Sequence, residues 1–322
     1  MNLKPYLAGC LSLALVASAA GGAGAHGLAG KRFFPATLVV DDPFVADELS
    51  LPSVSHIKQP AGEEQPATRV TSVSGELSKR ITPDLGLSLE GEWLHLARAG
   101  GQDHSGFGNL ELAVKYQLVK SDPHESVLSA GLGLEVGGTG QAPVGAESFD
   151  VLKPALFFGK GLGDLPDSLA YLRPLAITGS VGGEIPARGS TRKIKLGQEE
   201  GEIEVERERH PDVFTWGLAI EYSIPYLQSF VRDVGLPAPL GRMIPLVEIE
   251  FQHPLNRGES GRYTGTVNPG VIWAGRFFQV AVEAIVPVNA RTGKNLGIRG
   301  QLHFYLDDLF PTTIGRPLFG GR

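Results

Sequence analysis

A two-residue alternation that recurs along most of the chain constrains its fold more than any other feature, and it is clearest in residues 295–310, NLGIRGQLHFYLDDLF. Leu296, Ile298, Leu302, Phe304 and Leu306 share one parity, and Asn295, Arg299, Gln301, His303 and Asp307 share the other. Successive side chains of a strand point to opposite faces, so an extended chain here has one oily and one polar face. Such a strand needs lipid or a core on one side only.

Earlier segments repeat the pattern. Val73, Leu77 and Ile81 oppose Ser72, Ser74, Glu76, Ser78 and Arg80, and after a turn at Thr82, Pro83 and Asp84 the residues Leu85, Leu87, Leu89 and Trp93 oppose Ser88, Glu90 and Glu92. Leu110, Leu112, Val114, Tyr116 and Leu118 then oppose Asn109, Glu111, Lys115 and Gln117. Further alternating stretches cover residues 128–136, 175–181, 214–223, 247–252 and 278–289, with less regular ones at 151–162 and 263–273. One such strand fits a half-exposed soluble sheet equally well; about eleven at even spacing favour a barrel with lipid outside and polar groups inside. Ten residues at roughly 3.3 Å each, tilted by about 40°, rise about 25 Å, the height of a lipid-facing band.

Connection lengths orient the strands, because outer-membrane barrels have short periplasmic turns and longer outer loops. The links near Pro83, Pro123, Leu165 and Arg276 read as short, and those near Gly101, Ala142, residues 188–212, Glu259 and Thr292 as longer or more polar, with residues 228–242 an exception. The first regular strand then runs toward the periplasm, so an extra upward strand is expected between Leu51 and Pro66. The expected fold is all-β, an antiparallel up-and-down transmembrane barrel of about 12 strands, closed by pairing of the last strand with that first one.

Residues 1–25 read as a secretory signal: Lys4 supplies the positive end, residues 11–20 the apolar run, and Ala23, Gly24 and Ala25 the cleavage site. A lipoprotein reading of Leu7, Ala8, Gly9 and Cys10 conflicts with the apolar run that follows it. Cleavage after Ala25 removes Cys10, the single cysteine, and with it disulfide and thiol chemistry. Beyond residue 25 no apolar run is long enough for a transmembrane helix. Residues 26–66 contain Pro35, Pro43 and Pro52 and no sustained period. They are expected to be a periplasmic extension, a lumen plug, or a plug leading into the first strand; residues 67–310 form the barrel and 311–322 a tail, with Phe310 or Phe319 as the terminal aromatic. The 43 glycines and net charge of −6 suit turn-rich β-structure and give no basic patch for nucleic acid.

If the apolar parity meets lipid, then Glu76, Arg80, Glu90, Glu92, Glu111, Lys115, Glu135, Glu221, Glu248, Glu250, Glu283 and Arg299 point into the lumen. Acidic groups outnumber basic ones, which fits either a hydrated pore for cations and neutral solutes or a closed polar core. Trp93, Tyr116, Trp216, Tyr222, Trp273 and Phe304 suit aromatic girdles at the lipid interfaces. Residues 188–212 form a charged block that folds as an outer hairpin turning near residues 199–201, with Ile194 and Leu196 opposite Ile203 and Val205. As a new N-terminus, His26 offers an amine and an imidazole for copper, with His56 the nearest second ligand. Ser53 with His56, and His253 with Asn256 and Ser260, complete no catalytic motif, so no enzyme and no cofactor is expected.

Residues 106–119, GFGNLELAVKYQLV, followed by ESVLSAGLGLEVGGTG, resemble the outer-membrane barrels of the phenol meta-degradation pathway family, proposed proteobacterial transporters. The resemblance implies an outer-membrane uptake role and names no substrate or site residue. The expected function is passage of small molecules, hydrophobic ones among them, with outer-membrane lipid as partner. A structural barrel using residues 188–212 as a contact surface is the alternative, and a soluble exported β-protein or barrel enzyme comes third.

Overall fold

The computed structural model describes residues 27–61, 66–196 and 203–320. Twelve long strands run in chain order: β1 (Glu48–Gln59), β2 (Thr68–Arg80), β3 (Leu85–Arg98), β4 (Leu110–Ser121), β5 (Ser126–Val136), β6 (Val151–Gly161), β7 (Leu175–Pro186), β8 (Val213–Tyr222), β9 (Met243–Pro254), β10 (Thr264–Ala274), β11 (Phe278–Pro287) and β12 (Gly297–Tyr305). Each pairs antiparallel with its sequence neighbour, and β12 pairs with β1, so the sheet closes into a 12-strand barrel without a free edge. A short strand, His104–Phe107, extends the ladder at the end of β3.

Burial is inverted relative to a soluble protein. Leu89, Leu112 and Leu134 meet across β3, β4 and β5 and are between a third and a half exposed. Glu221, Glu248, Gln279 and Glu283, on the opposite parity, are buried. The apolar face therefore points outward, as a lipid-facing wall requires. Trp216 and Phe251 stack in that wall at 4.9 Å, with His253 and Tyr263 beyond them toward one rim, and Trp273, Phe278 and Phe304 cluster toward the other. These are the two places where aromatic girdles belong.

At one end of the barrel the turns 81–84, 122–125 and 275–277 are short, while at the other the loops 99–109, 137–150, 187–212 and 255–263 are longer. Two connections at the short-turn end are long. Residues 162–174 form an extended link with a 3-10 turn at Asp167–Leu172, where a short link is expected, and residues 223–242 are long as expected. The two pack together, since Tyr222 Oη donates to the carbonyl of Tyr171 at 3.2 Å and Arg232 donates to the Tyr171 hydroxyl at 3.0 Å. Each needs the length to reach the other.

The closing strand is shorter than its alternation. After Tyr305 the chain turns into one helical turn, Leu306–Leu309, closed by the Phe310 amide donating to the carbonyl of Leu306, while the Leu306 amide donates to the carbonyl of Asp47. The tail then folds back across the β2–β3 turn, with the amides of Leu318 and Phe319 donating to the carbonyls of Arg80 and Ile81. In the charged block, Ser190–Leu196 pairs with Ile203–Arg209, which sets Ile194 opposite Val205 and Leu196 opposite Ile203. Its turn, residues 197–202, lies outside the described residues.

Residues 27–47 run inside the short-turn half of the barrel. Phe34 and Phe44 pack with Val127 of β5 and Ala176 of β7, while Phe33 and Leu38 pack against Ile244, Leu246, Ile272 and Ala281 of β9, β10 and β11. One segment that touches strands from β5 round to β11 must lie within the ring. On β9 and β10 the inward parity at this end is apolar as well, through Ile244, Leu246 and Ile272, so the core sits between the N-terminal segment and that part of the wall.

Candidate functional site: the barrel interior

The interior is organised by the segment just before β1. Glu248 is fully buried midway along β9, and its carboxylate accepts from the backbone amides of Leu38 and Val39 at 3.0 Å and of Val40 at 2.8 Å. Three converging N–H groups satisfy a carboxylate that an apolar interior would otherwise leave uncompensated. Across the lumen, Lys115 of β4 donates to the carbonyl of Asp42 at 2.6 Å and lies over the ring of Phe157, while Ser129 of β5 donates to the carbonyl of Pro43. Gln279 of β11 donates to the carbonyl of Ala36 and receives the hydroxyl of Tyr305 at 2.8 Å. The segment is thus fixed from opposite walls, its backbone satisfied by inward side chains.

Both ends of the segment are clamped by charge. Arg32, 1% exposed, donates to Glu125 at 3.3 Å, to the carbonyls of Pro174 and Arg173, and lies 3.9 Å from the ring of Tyr226. Tyr226 in turn donates to Glu125 at 2.9 Å, and burial followed by that carboxylate pushes its hydroxyl up to about 12, so it stays a donor. At the other end Asp47, with no exposed surface, accepts from Lys79 at 2.6 Å and from the side chain and backbone of Arg80 at 2.7 and 2.8 Å. Lys79 and Arg80 also reach the carbonyls of Ile314, Gly315 and Arg316, which joins the tail to the clamp.

Two cavities flank residues 39–46. One, about 310 Å³, is bounded by β2 to β9; Val40, Phe44, Val45 and Phe157 give it an apolar wall, and Glu90, Glu111 and Glu184 an acidic one. The other, about 360 Å³, lies against β1, β2 and β12 and is lined by a row of hydroxyls, Ser53, Ser55, Ser72 and Ser74 among them, with Glu92, Arg299 and His303. Glu76, Glu90, Lys115 and Glu250 border both.

The other charges expected to face inward are mostly paired. Lys153 bridges Glu111 at 2.7 Å and Glu135 at 3.2 Å, and Asn109 donates to Glu135. Arg299 pairs with Glu283 at 2.8 Å, Arg80 with Asp47, and Ser78 donates to Glu76. Thr266 donates to Glu250 at 3.5 Å, and Glu221 is buried on β8. Lys153, Glu48 and Asp47 belong to the same interior and escape the alternation, because they lie in irregular strands or just before β1, and Glu184 lies beyond the regular stretch of β7; His303 lies on the polar parity of β12. The signal for the segment itself is the doubling of apolar residues at Met243–Val247 and Val271–Ala274. A strand with lipid on one face needs a second apolar face only where something packs inside.

His26 lies outside the described residues, and His56 bonds the hydroxyl of Thr71 at 2.8 Å on the next strand. Trp216 donates to His253 at 3.2 Å, Asn256 donates to Asp212 and Ser260 to the carbonyl of Leu255, so each member of that sequence grouping is engaged elsewhere.

No family model matches the chain, and no curated relative does. Among solved structures it is similar to an outer-membrane channel from Pseudomonas putida F1, with a TM-score of 0.53 and 12% identity over 82% of this chain and 97% of that one. The KdgM porin (TM-score 0.44, 14% identity, 79% and 97% covered) and the NanC porin (0.42, 8%, 78% and 97%) follow at lower similarity. At such identities the likeness establishes the architecture: the chain has the fold of an outer-membrane β-barrel.

Proposed function

We propose that the protein is an outer-membrane channel for small solutes, narrowed by its own N-terminal segment, with the short-turn end in the periplasm. The observation that supports this reading is the pair of cavities on either side of residues 39–46, each bordered by polar wall groups. A purely structural barrel has no use for polar space lined by carboxylates that outnumber the cationic groups beside them, because such carboxylates are costly to enclose unless water or a cation reaches them. The excess of Glu76, Glu90, Glu92 and Glu250 over Lys115 near the segment favours neutral and cationic solutes over anions. The apolar wall of Val40, Phe44, Val45 and Phe157 suits solutes with a hydrophobic side. A volume near 310 Å³ limits them to small molecules.

Reconstitution into planar bilayers tests the proposal. The intact chain should give a small, cation-preferring conductance, and removal of residues 27–46 should raise it several-fold. Absence of current from both forms, with no solute-driven liposome swelling, would sink the channel reading.

A further inference from the structure

At the long-loop rim, away from the interior cavities, three side chains converge that the channel reading leaves unused. One carboxylate oxygen from each of Glu147 and Glu208 and a ring nitrogen of His210 lie within 4.8 Å of one another. Glu147 comes from the β5–β6 loop, and Glu208 and His210 from the returning arm of the β7–β8 hairpin. We propose that this cluster is a site for a divalent first-row transition-metal ion of the zinc class, tying that loop to the base of the hairpin.

The spacing of the three groups leaves room for an ion between them. His210 Nδ1 is 3.8 Å from Glu147 Oε1, beyond hydrogen-bond reach. It is close to the separation of two ligands on one tetrahedral ion, about 3.4 Å for bonds of about 2.1 Å. The other ring nitrogen, Nε2, is 2.8 Å from the hydroxyl of Thr191. That contact fixes the ring, and with Nε2–H donating it leaves Nδ1 as the lone-pair nitrogen facing the two carboxylates; an outer partner of this kind is the usual companion of a metal-bound imidazole. The ring of Phe149 packs against the imidazole at 4.6 Å, and His210 is 8% exposed.

The supporting backbone is held independently of any ion. The His210 amide donates to the carbonyl of Gly189, and Arg257 donates to the carbonyl of His210. The carbonyl of Glu147 accepts from the amide of Gly138 and from Asn109. The backbone that presents the donors is therefore already held, and drawing them onto one ion falls to the side chains. One imidazole with two carboxylates suits zinc and its neighbours; calcium and magnesium prefer all-oxygen shells of six or more ligands. Three protein ligands leave a coordination position for water on the exposed side of Glu147.

Titration of the tag-free, detergent-solubilised mature chain with Co²⁺ provides the test. One equivalent should bind with the visible absorption of a four- or five-coordinate ion and be displaced by Zn²⁺ but not by Mg²⁺. His210→Ala should abolish that band, and Thr191→Val should weaken binding by about 10- to 100-fold. Heat-modifiable migration identical to the parent chain shows that each variant remains a folded barrel. Absence of saturable binding at one equivalent, or a band that survives in the folded His210→Ala variant, overturns the assignment.

Discussion

Glu248 stands out among the interior carboxylates because three amides of the N-terminal segment depend on it. Glu248→Ala strands those amides in a buried site, at about 1–3 kcal/mol for each one left without an acceptor. Hydrogen exchange at Leu38, Val39 and Val40 should accelerate at least about tenfold, equivalent to 1.4 kcal/mol or more; unchanged exchange there would show that the segment is held by its other contacts. At the rim, Asp212 accepts from Arg257 at 2.8 Å and from Asn256 at 2.6 Å, and these bonds hold its carboxyl below the usual carboxylate range. A depressed folded-state value stabilises the folded form above the unfolded value of about 3.9, and the contribution is lost as pH falls through the folded value. Protease sensitivity of the loop at residues 255–263 should therefore rise in strongly acidic buffer, while Asp212→Asn shows the acid-like sensitivity already at neutral pH. Glu248 is visible in the sequence as an inward residue of a regular strand. Its role is not, because the alternation says which way a side chain points and nothing of the loop that meets it.

At the scale of elements, the strands with unbroken alternation are those most legible in the sequence, and β1 shows why one was not. Leu49 lies opposite Leu77 in the outward wall, but between Ser50 and Ser53 the register shifts, and beyond it Val54 lies opposite Val73. A bulge moves the outward set from odd to even positions. The period breaks in mid-strand although both halves face lipid, and so the region expected to hold the closing partner looked irregular. A stable strand can thus be hidden by one extra residue. On β4 no such break occurs before Gln117, and Leu112 lies opposite Leu89 and Leu134. Leu112→Arg places a guanidinium in the lipid band and should destabilise the barrel by about 2–4 kcal/mol in urea unfolding from vesicles. A neutral result would mean that this wall does not face lipid.

For the whole molecule, closure of the barrel follows from repetition and is readable before any coordinates exist. The path of residues 27–47 is not, since it depends on pairings between segments as distant as Leu38 and Glu248. That segment and the wall it fills are one covalent chain, joined at Asp47 without a linker before β1 begins at Glu48. On the proposed channel reading, a displaced segment competes for the lumen as an intramolecular partner, at an effective concentration in the millimolar range or above. A solute that competes with the segment must outbid a rival that never diffuses away. On that reading the narrowing of the lumen is independent of how many copies the membrane holds.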